Sequence, residues 1–220
     1  MFQPKIHVYF VPGLAAGKEI FKHILLPEER YDLHILEWLI PNKKESLQEY
    51  AERFSKQVLH ENAVLIGVSF GGVVVQEMSL FLDLKKLIII SSVKSKFELP
   101  KRLQYAKKTK AYKLVPTKLV LSISDLTKFS IGPKSKKRLA LYQEYLSVRD
   151  KDYLDWAIEQ MVCWDREEEV PNVNHIHGGR DAVFPIKNIK DYIPVEKGTH
   201  VMIMYKANTV SSEIVKIIEK

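Results

Sequence analysis

The chain has little cysteine and no long hydrophobic run, and both absences limit the class of protein. Cys163 is the only cysteine among 220 residues, so no disulfide forms within the chain, and we expect this thiol to be a packed residue of a helix. No stretch approaches the roughly 20 apolar residues that a membrane helix needs. The first residues also lack a basic start followed by an apolar segment and a cleavage site. We therefore expect a cytoplasmic protein without membrane insertion.

The aromatic and glycine signatures of nucleic-acid-binding modules are also missing, although the formal net charge is +7. The basic excess belongs to one segment, Lys94 to Arg138, where Glu98 and Asp125 are the only acidic residues. We expect this segment to be a solvated, lysine-rich surface or to attract an anionic substrate. No nucleic-acid partner is predicted, and the oligomeric state is left open.

Metal-binding and phosphate-binding patterns are absent as well. His175 and His177 lie on one predicted strand without a third ligand at suitable spacing. The glycine-containing segment 13–18 lacks the Gly-Lys-Ser or Gly-Lys-Thr of a phosphate-binding loop. We therefore expect no metal and no cofactor. The remaining histidines near strands and helix ends are predicted to be packed or solvated: His7, His23, His34 and His60.

The patterns that are present indicate one α/β domain. Short runs rich in β-branched residues alternate with amphipathic helices, which is the rhythm of a mostly parallel sheet. The predicted strands cover 6–11, 32–36, 63–68, 87–91, 173–178 and 192–195. Flanking helices are predicted over 46–60, from Ser69 to Leu82, and over 208–219.

The rhythm stops between the fourth and fifth strands. Residues 93–171 are predicted to form a helical cap inserted into a core made of 1–92 and 172–220. Four helices are expected in this cap, broken by Pro116 and by Gly132 and Pro133, near 100–112, 117–129, 134–148 and 151–164.

Ser69 is the strongest candidate for chemistry. It is the centre of Gly-Val-Ser-Phe-Gly at 67–71, directly after a predicted strand and before a predicted helix. A nucleophile placed in such a sharp turn has a strained backbone, and small residues on both sides allow neighbouring backbones to approach closely. The pattern predicts a nucleophile elbow.

Asp181 and His200 supply the other groups that an activated serine needs. A serine hydroxyl is a poor nucleophile at neutral pH, so it requires an imidazole base and a carboxylate that orients the imidazole. Asp181 follows the fifth predicted strand, and His200 lies between the last strand and the last helix. Their order after Ser69 is the one expected for a strand, turn and helix architecture of this kind.

With these three motifs in order, the chain resembles an α/β-hydrolase over residues 4–92 and 172–220. The resemblance implies an α/β-hydrolase fold with about six strands and a helical cap. It also implies that Ser69 is the nucleophile, Asp181 the orienting acid and His200 the base.

The resemblance also suggests how an oxyanion would be held. The segment 11–17 is similar to the oxyanion loop of that family, although Val11 and Pro12 stand where many members have His-Gly. The backbone N–H groups of Leu14 and Phe70 are the predicted donors. A helical stripe in the cap is a candidate lining for an acyl pocket: Trp156, Gln160 and Trp164.

Together these residues predict a serine hydrolase that cleaves a carboxylic ester or thioester of a small acyl substrate through an acyl-enzyme intermediate. Two alternatives stay open, because a fold and a triad do not determine a reaction. One is a non-catalytic binding protein with a hydrolase fold. The other is a triad enzyme of different chemistry, such as a carbon-carbon hydrolase or a cofactor-free perhydrolase.

Overall fold

The computed structural model describes residues 4–114 and 145–220, which contain one six-stranded sheet. Every neighbouring pair of strands is parallel, and the spatial order is β2-β1-β3-β4-β5-β6. The strands are β1 (Ile6–Val11), β2 (Tyr31–Ile35), β3 (Ala63–Val68), β4 (Leu84–Ile90), β5 (Val173–Gly178) and β6 (Ile193–Val195).

The α-helices of the described residues lie between these strands and after the last of them. They are α1 (Leu47–Ser55), α2 (Phe70–Met78), α3 (Lys101–Thr109), α4 (Lys151–Cys163), α5 (Met202–Tyr205) and α6 (Ala207–Ile218). None of them combines the length and the apolar character that a helix crossing a bilayer requires.

Both faces of the sheet are covered, which explains why the central strand β3 is buried along its whole length and has no polar side chain. In β1, Tyr9 and Val11 belong to a core shared with α1, α2 and α4. Val8 and Phe10 point to the opposite face and belong to a second core shared with α6. Alternation along each strand therefore supplies two hydrophobic layers.

The predicted strands and outer helices are confirmed with small shifts of their ends. β4 begins at Leu84 rather than 87, because Lys85 and Lys86 conceal the start of a strand that already pairs with β3. α1 begins after Ser46, whose side chain and that of Glu49 form a capping box, and it ends at Ser55 rather than 60.

Two of the four helices predicted within 93–171 are confirmed by α3 and α4. The helix predicted over 117–129 and most of the one over 134–148 lie outside the described residues. On α4, the rings of Tyr153 and Trp156 pack against Trp38 and Tyr50, so this helix joins the core on the α1 and α2 side.

The turn from β3 into α2 requires glycine because of close backbone contacts. A Cβ on Gly71 would lie 2.2 Å from the carbonyl oxygen of Pro12, which follows β1. A Cβ on Gly67 would lie 2.3 Å from the carbonyl oxygen of Gly71. Both neighbours are backbone atoms, so neither contact is relieved by moving a side chain.

We predict that Gly71→Ala lowers the free energy of unfolding by about 1–3 kcal/mol, because the added methyl group displaces α2 from the end of β1. Urea denaturation followed by circular dichroism measures the change. Gly179→Ala is the matched control, since a Cβ there meets only the Val195 carbonyl oxygen, at 3.9 Å. Equal unfolding midpoints for the two variants would contradict this explanation.

Candidate active site

Ser69 occupies the turn between β3 and α2 in a strained conformation. Its φ is 54° and its ψ is −118°, a combination that non-glycine residues rarely adopt. Its N–H donates to the Ile90 carbonyl at 2.9 Å, and the Ser92 hydroxyl donates to the Ser69 carbonyl at 2.7 Å. The Ser69 hydroxyl does not cap α2, so it is available for other contacts.

His200 connects Ser69 to a carboxylate. It lies between β6 and α5, and its Nε2 is 2.9 Å from the Ser69 Oγ. Its Nδ1 is 2.9 Å from Oδ2 of Asp181. The imidazole side chain is 17% exposed and the carboxylate is fully buried, so the pair is largely shielded from solvent.

Asp181 is held in place by the loop that follows β5. Its Oδ1 accepts hydrogen bonds from the N–H groups of Val183 at 2.8 Å and Phe184 at 2.9 Å. Burial by itself would raise the pKa of this carboxyl. The hydrogen bond and charge of His200, the N–H of Phe184 and the charge of His177 outweigh burial, so the pKa of Asp181 is lowered.

This arrangement determines which way the protons point. An ionised Asp181 accepts the Nδ1–H of His200, and the Nε2 lone pair then faces the hydroxyl of Ser69. The Ser69 proton has an acceptor at hydrogen-bonding distance. The structure therefore brings together the three side chains that the sequence analysis selected from separate parts of the chain.

The two predicted oxyanion donors both line the cavity beside Ser69. Phe70 is the first residue of α2, and the N–H groups of a helix's first turn have no partner inside the helix. Leu14 lies in the loop after β1, where the Trp38 indole N–H donates to the Gly13 carbonyl at 3.3 Å. Their role as oxyanion donors stays a prediction.

The cavity beside Ser69 has a volume of about 340 Å³ and a mostly apolar lining. Two of its walls come from the segment between β4 and β5, through α3 and α4. The apolar side chains of the lining include Ile20, Leu103, Leu146, Ile158, Met161, Val162, Ile203 and Met204. Among the described residues that line the cavity, Arg102 is the only one that is a lysine or an arginine.

The predicted pocket residues of α4 lie elsewhere, and this prediction is corrected. Trp156 is buried against Tyr50 and Phe70 and donates its indole N–H to the Glu45 carbonyl at 2.7 Å. Gln160 and Trp164 line a separate cavity, and the Trp164 indole donates to Glu77 at 2.9 Å. The tryptophan-bearing face of α4 packs on the protein core, and this packing turns a neighbouring face toward Ser69.

That neighbouring face is the one the sequence analysis missed. Ile158, Met161 and Val162 are spaced i, i+3 and i+4 on α4, and all three line the cavity. Their apolar spacing was the available signal, but the larger tryptophans on the same helix masked it. Arg102 on α3 was also missed. It donates to the carbonyl of Val183 at 2.7 Å and thereby contacts the loop of Asp181.

A buried pair of histidines on β5 contacts the loop that contains Asp181. His177 Nε2 lies 2.9 Å from the Phe184 carbonyl oxygen, and its Nδ1 lies 3.0 Å from His175 Nε2. Burial lowers the pKa of His177 and lowers that of His175 well below its usual range. Both rings are therefore neutral packing elements at pH 7.

Comparisons with known proteins find similarity of structure only. No known protein family matches the sequence, and no curated protein does so either. A hydrolase from Oleispira antarctica superimposes with a TM-score of 0.74 at 11% identity, over 99% of this chain and 92% of that one. A bromoperoxidase from Bacillus anthracis superimposes with a TM-score of 0.71 at 13% identity, over 99% of this chain and 93% of that one.

An esterase from Exiguobacterium antarcticum gives a TM-score of 0.70 at 14% identity, over 100% of this chain and 94% of that one. These similarities span almost the whole length of this chain and of each compared structure. They agree with the six-stranded parallel sheet flanked by helices. The resemblance proposed from the sequence is therefore confirmed for the architecture: the chain has the α/β-hydrolase fold.

Proposed function

We propose that this protein is a serine hydrolase that cleaves a carboxylic ester or thioester of a small acyl substrate. The observation that carries the proposal is the pair of 2.9 Å contacts joining Ser69 Oγ, His200 and Asp181 at the wall of an apolar cavity. This geometry supports acyl transfer, because a nucleophile, a base and an orienting carboxylate lie within hydrogen-bonding reach.

The first half of the reaction forms an acyl-enzyme. His200 Nε2 takes the proton of the Ser69 hydroxyl as Oγ attacks the carbonyl carbon of the substrate. In this proposal the N–H groups of Leu14 and Phe70 hold the negative charge that develops on the carbonyl oxygen. When the tetrahedral intermediate collapses, the protonated His200 gives its proton to the leaving alcohol or thiol.

Water completes the cycle. It enters where the alcohol or thiol has left, and His200 removes one of its protons as the oxygen attacks the acyl carbon. Collapse of the second tetrahedral intermediate releases the carboxylic acid, and the proton on His200 returns to Ser69 Oγ. Asp181 stays ionised and stabilises the imidazolium in both halves. No redox group or metal is needed in these steps.

The lining of the cavity favours an apolar acyl group of modest size. Its walls are aliphatic side chains and methionines, which bind an acyl chain by excluding water. Arg102 stands on the same wall and adds one positive charge. A carboxylate or phosphate at the far end of the acyl group would find a partner there.

Labelling with a fluorophosphonate probe tests the nucleophile. We expect one covalent adduct per chain, located on Ser69 by peptide mass spectrometry and absent in Ser69→Ala. Ser212→Ala is the matched control, because its exposed hydroxyl only donates to the Asn208 carbonyl on α6. A folded wild-type protein that neither reacts with the probe nor hydrolyses an ester panel would favour the non-catalytic binding protein.

Asp181→Asn tests whether the carboxylate orients His200 for catalysis. The amide keeps an oxygen for the Val183 and Phe184 N–H groups but turns an N–H donor toward His200, which stabilises the wrong tautomer of the imidazole. We expect kcat on a 4-nitrophenyl ester to fall by about 10⁴-fold with the fold retained. A loss below tenfold, with unchanged circular dichroism, would contradict a catalytic role for this carboxylate.

Arg102→Gln tests the charge preference of the cavity. We expect kcat/KM for an ester whose acyl chain ends in a carboxylate to fall by about threefold to fivefold, the magnitude of a solvent-exposed ion pair. The value for a neutral ester of equal length serves as the control and is expected to change little. Equal losses for both esters would instead point to the contact between Arg102 and the Asp181 loop.

A further inference from the structure

Three histidines from separate segments meet at the amino end of β1, away from Ser69. His7 lies on β1, His34 on β2, and His60 in the segment between α1 and β3. One ring nitrogen from each lies within 4.8 Å of the others. The spacing of these nitrogen atoms is short enough for one metal ion to contact all three residues.

Parallel pairing of two strands creates the convergence. His7 is in register with Asp32, and Tyr9 is in register with His34. Side chains two residues apart on a strand share a face, so the two histidines and Asp32 emerge on the same side of the sheet. β2 is the edge strand, and Asp32 is 51% exposed, so this face is open to ions from solvent.

The atoms form a triangle of the size that a metal ion requires. His7 Nδ1 and His34 Nε2 are 3.0 Å apart, and Asp32 Oδ2 is 3.5 Å from each of them. Tetrahedral zinc with ligands at 2.0–2.1 Å places neighbouring ligand atoms roughly 3.4 Å apart. All three edges of the triangle lie close to this value.

Hydrogen bonds among His7, His34 and Asp32 leave some of these three atoms without a suitable partner. A bond between two neutral imidazole nitrogens uses one proton, and the accepting nitrogen then presents no proton to Asp32. A cation at the centre is instead attractive to all three atoms.

His60 supplies a fourth nitrogen with a built support. Its Nδ1 lies 2.5 Å from the hydroxyl of Tyr9, a buried residue whose oxygen also accepts the Leu59 N–H at 3.1 Å. Partners of this kind on the second ring nitrogen orient metal-binding histidines. The His60 ring stacks on His7 with centroids 3.4 Å apart, and one of its nitrogens lies within 4.8 Å of the ligand nitrogens of His7 and His34.

We propose that His7, His34, Asp32 and His60 bind one divalent transition-metal ion, with Zn²⁺ the best match. Imidazole nitrogens and one carboxylate suit zinc, which takes four ligands of this type in a tetrahedron. The ion links β1, the edge strand β2 and the segment before β3. Roughly 20 Å of extended chain separates His7 from Gly13 beside Ser69, so the site is structural and separate from the proposed reaction.

Zinc titration of the metal-free protein, prepared without a polyhistidine tag, tests the site by calorimetry and thermal unfolding. We expect one Zn²⁺ per chain and a higher Tm with zinc. His34→Gln is expected to weaken binding by more than about 100-fold, since losing even an outer partner of a metal ligand costs about 10–100-fold. His23→Gln, which changes an exposed histidine outside the cluster, should bind as the wild type does.

Failure of the wild-type protein to bind zinc, or equal affinities of the His34→Gln and His23→Gln variants, would overturn the proposal. If His34→Gln does not fold, Asp32→Asn tests the same site from an exposed position, and unchanged affinity in that variant has the same meaning. Bound Co²⁺ should show the intense visible absorption of a four-coordinate ion. Ester hydrolysis is expected to be equal with and without zinc, so either result leaves the role of Ser69 unaffected.

Discussion

The close contact between the ends of β1 and β3 and the start of α2 is the constraint on which the rest of the active site depends. Gly71 lies against the carbonyl oxygen of Pro12, and a side chain at this position has no space. The contact holds Ser69 at a positive φ and fixes the first N–H groups of α2 beside its hydroxyl. Backbone packing rather than side-chain chemistry therefore positions Ser69, the proposed nucleophile.

The two ends of the parallel sheet present different chemistry. Loops at the carboxyl ends of β3 and β5, together with the segment after β6, contribute Ser69, Asp181 and His200, as expected where the strands of an open sheet end. Near the amino end of β1, the pairing of β1 with β2 brings imidazoles and a carboxylate to one face. In both places, parallel register unites residues that are distant in sequence.

The buried side chains next to His200 differ in charge: Asp181 is ionised, whereas His175 and His177 are neutral. Asp181 is desolvated, yet two backbone N–H groups and His200 keep it ionised. Burial also lowers the pKa of His175 and of His177 beside this loop, and for His177 the Phe184 carbonyl and the charge of Asp181 do not outweigh it. The negative charge of Asp181 therefore faces the imidazole of His200.

The order of strands and helices, and the selection of Ser69, Asp181 and His200, were predictable because they depend on local patterns. The alternation of apolar runs with amphipathic segments predicts the strands and helices, and the glycines around Ser69 predict a tight turn. The ends of elements were less predictable. Lys85 and Lys86 interrupt the apolar pattern of β4, although Leu84 and Lys86 are both in register with β3.

Features that depend on the rotation of a helix or on the register between strands were not predictable from local patterns. Trp156 and Ile158 are two residues apart on α4, but only packing against Tyr50 and Phe70 decides which one faces the cavity. Similarly, no short-range spacing joins His7, His34 and His60. The amino-acid sequence by itself determined the elements and the types of reactive groups, because these follow from neighbouring residues. Only the tertiary structure decided which groups meet, because contacts between distant segments are fixed by strand register and helix packing.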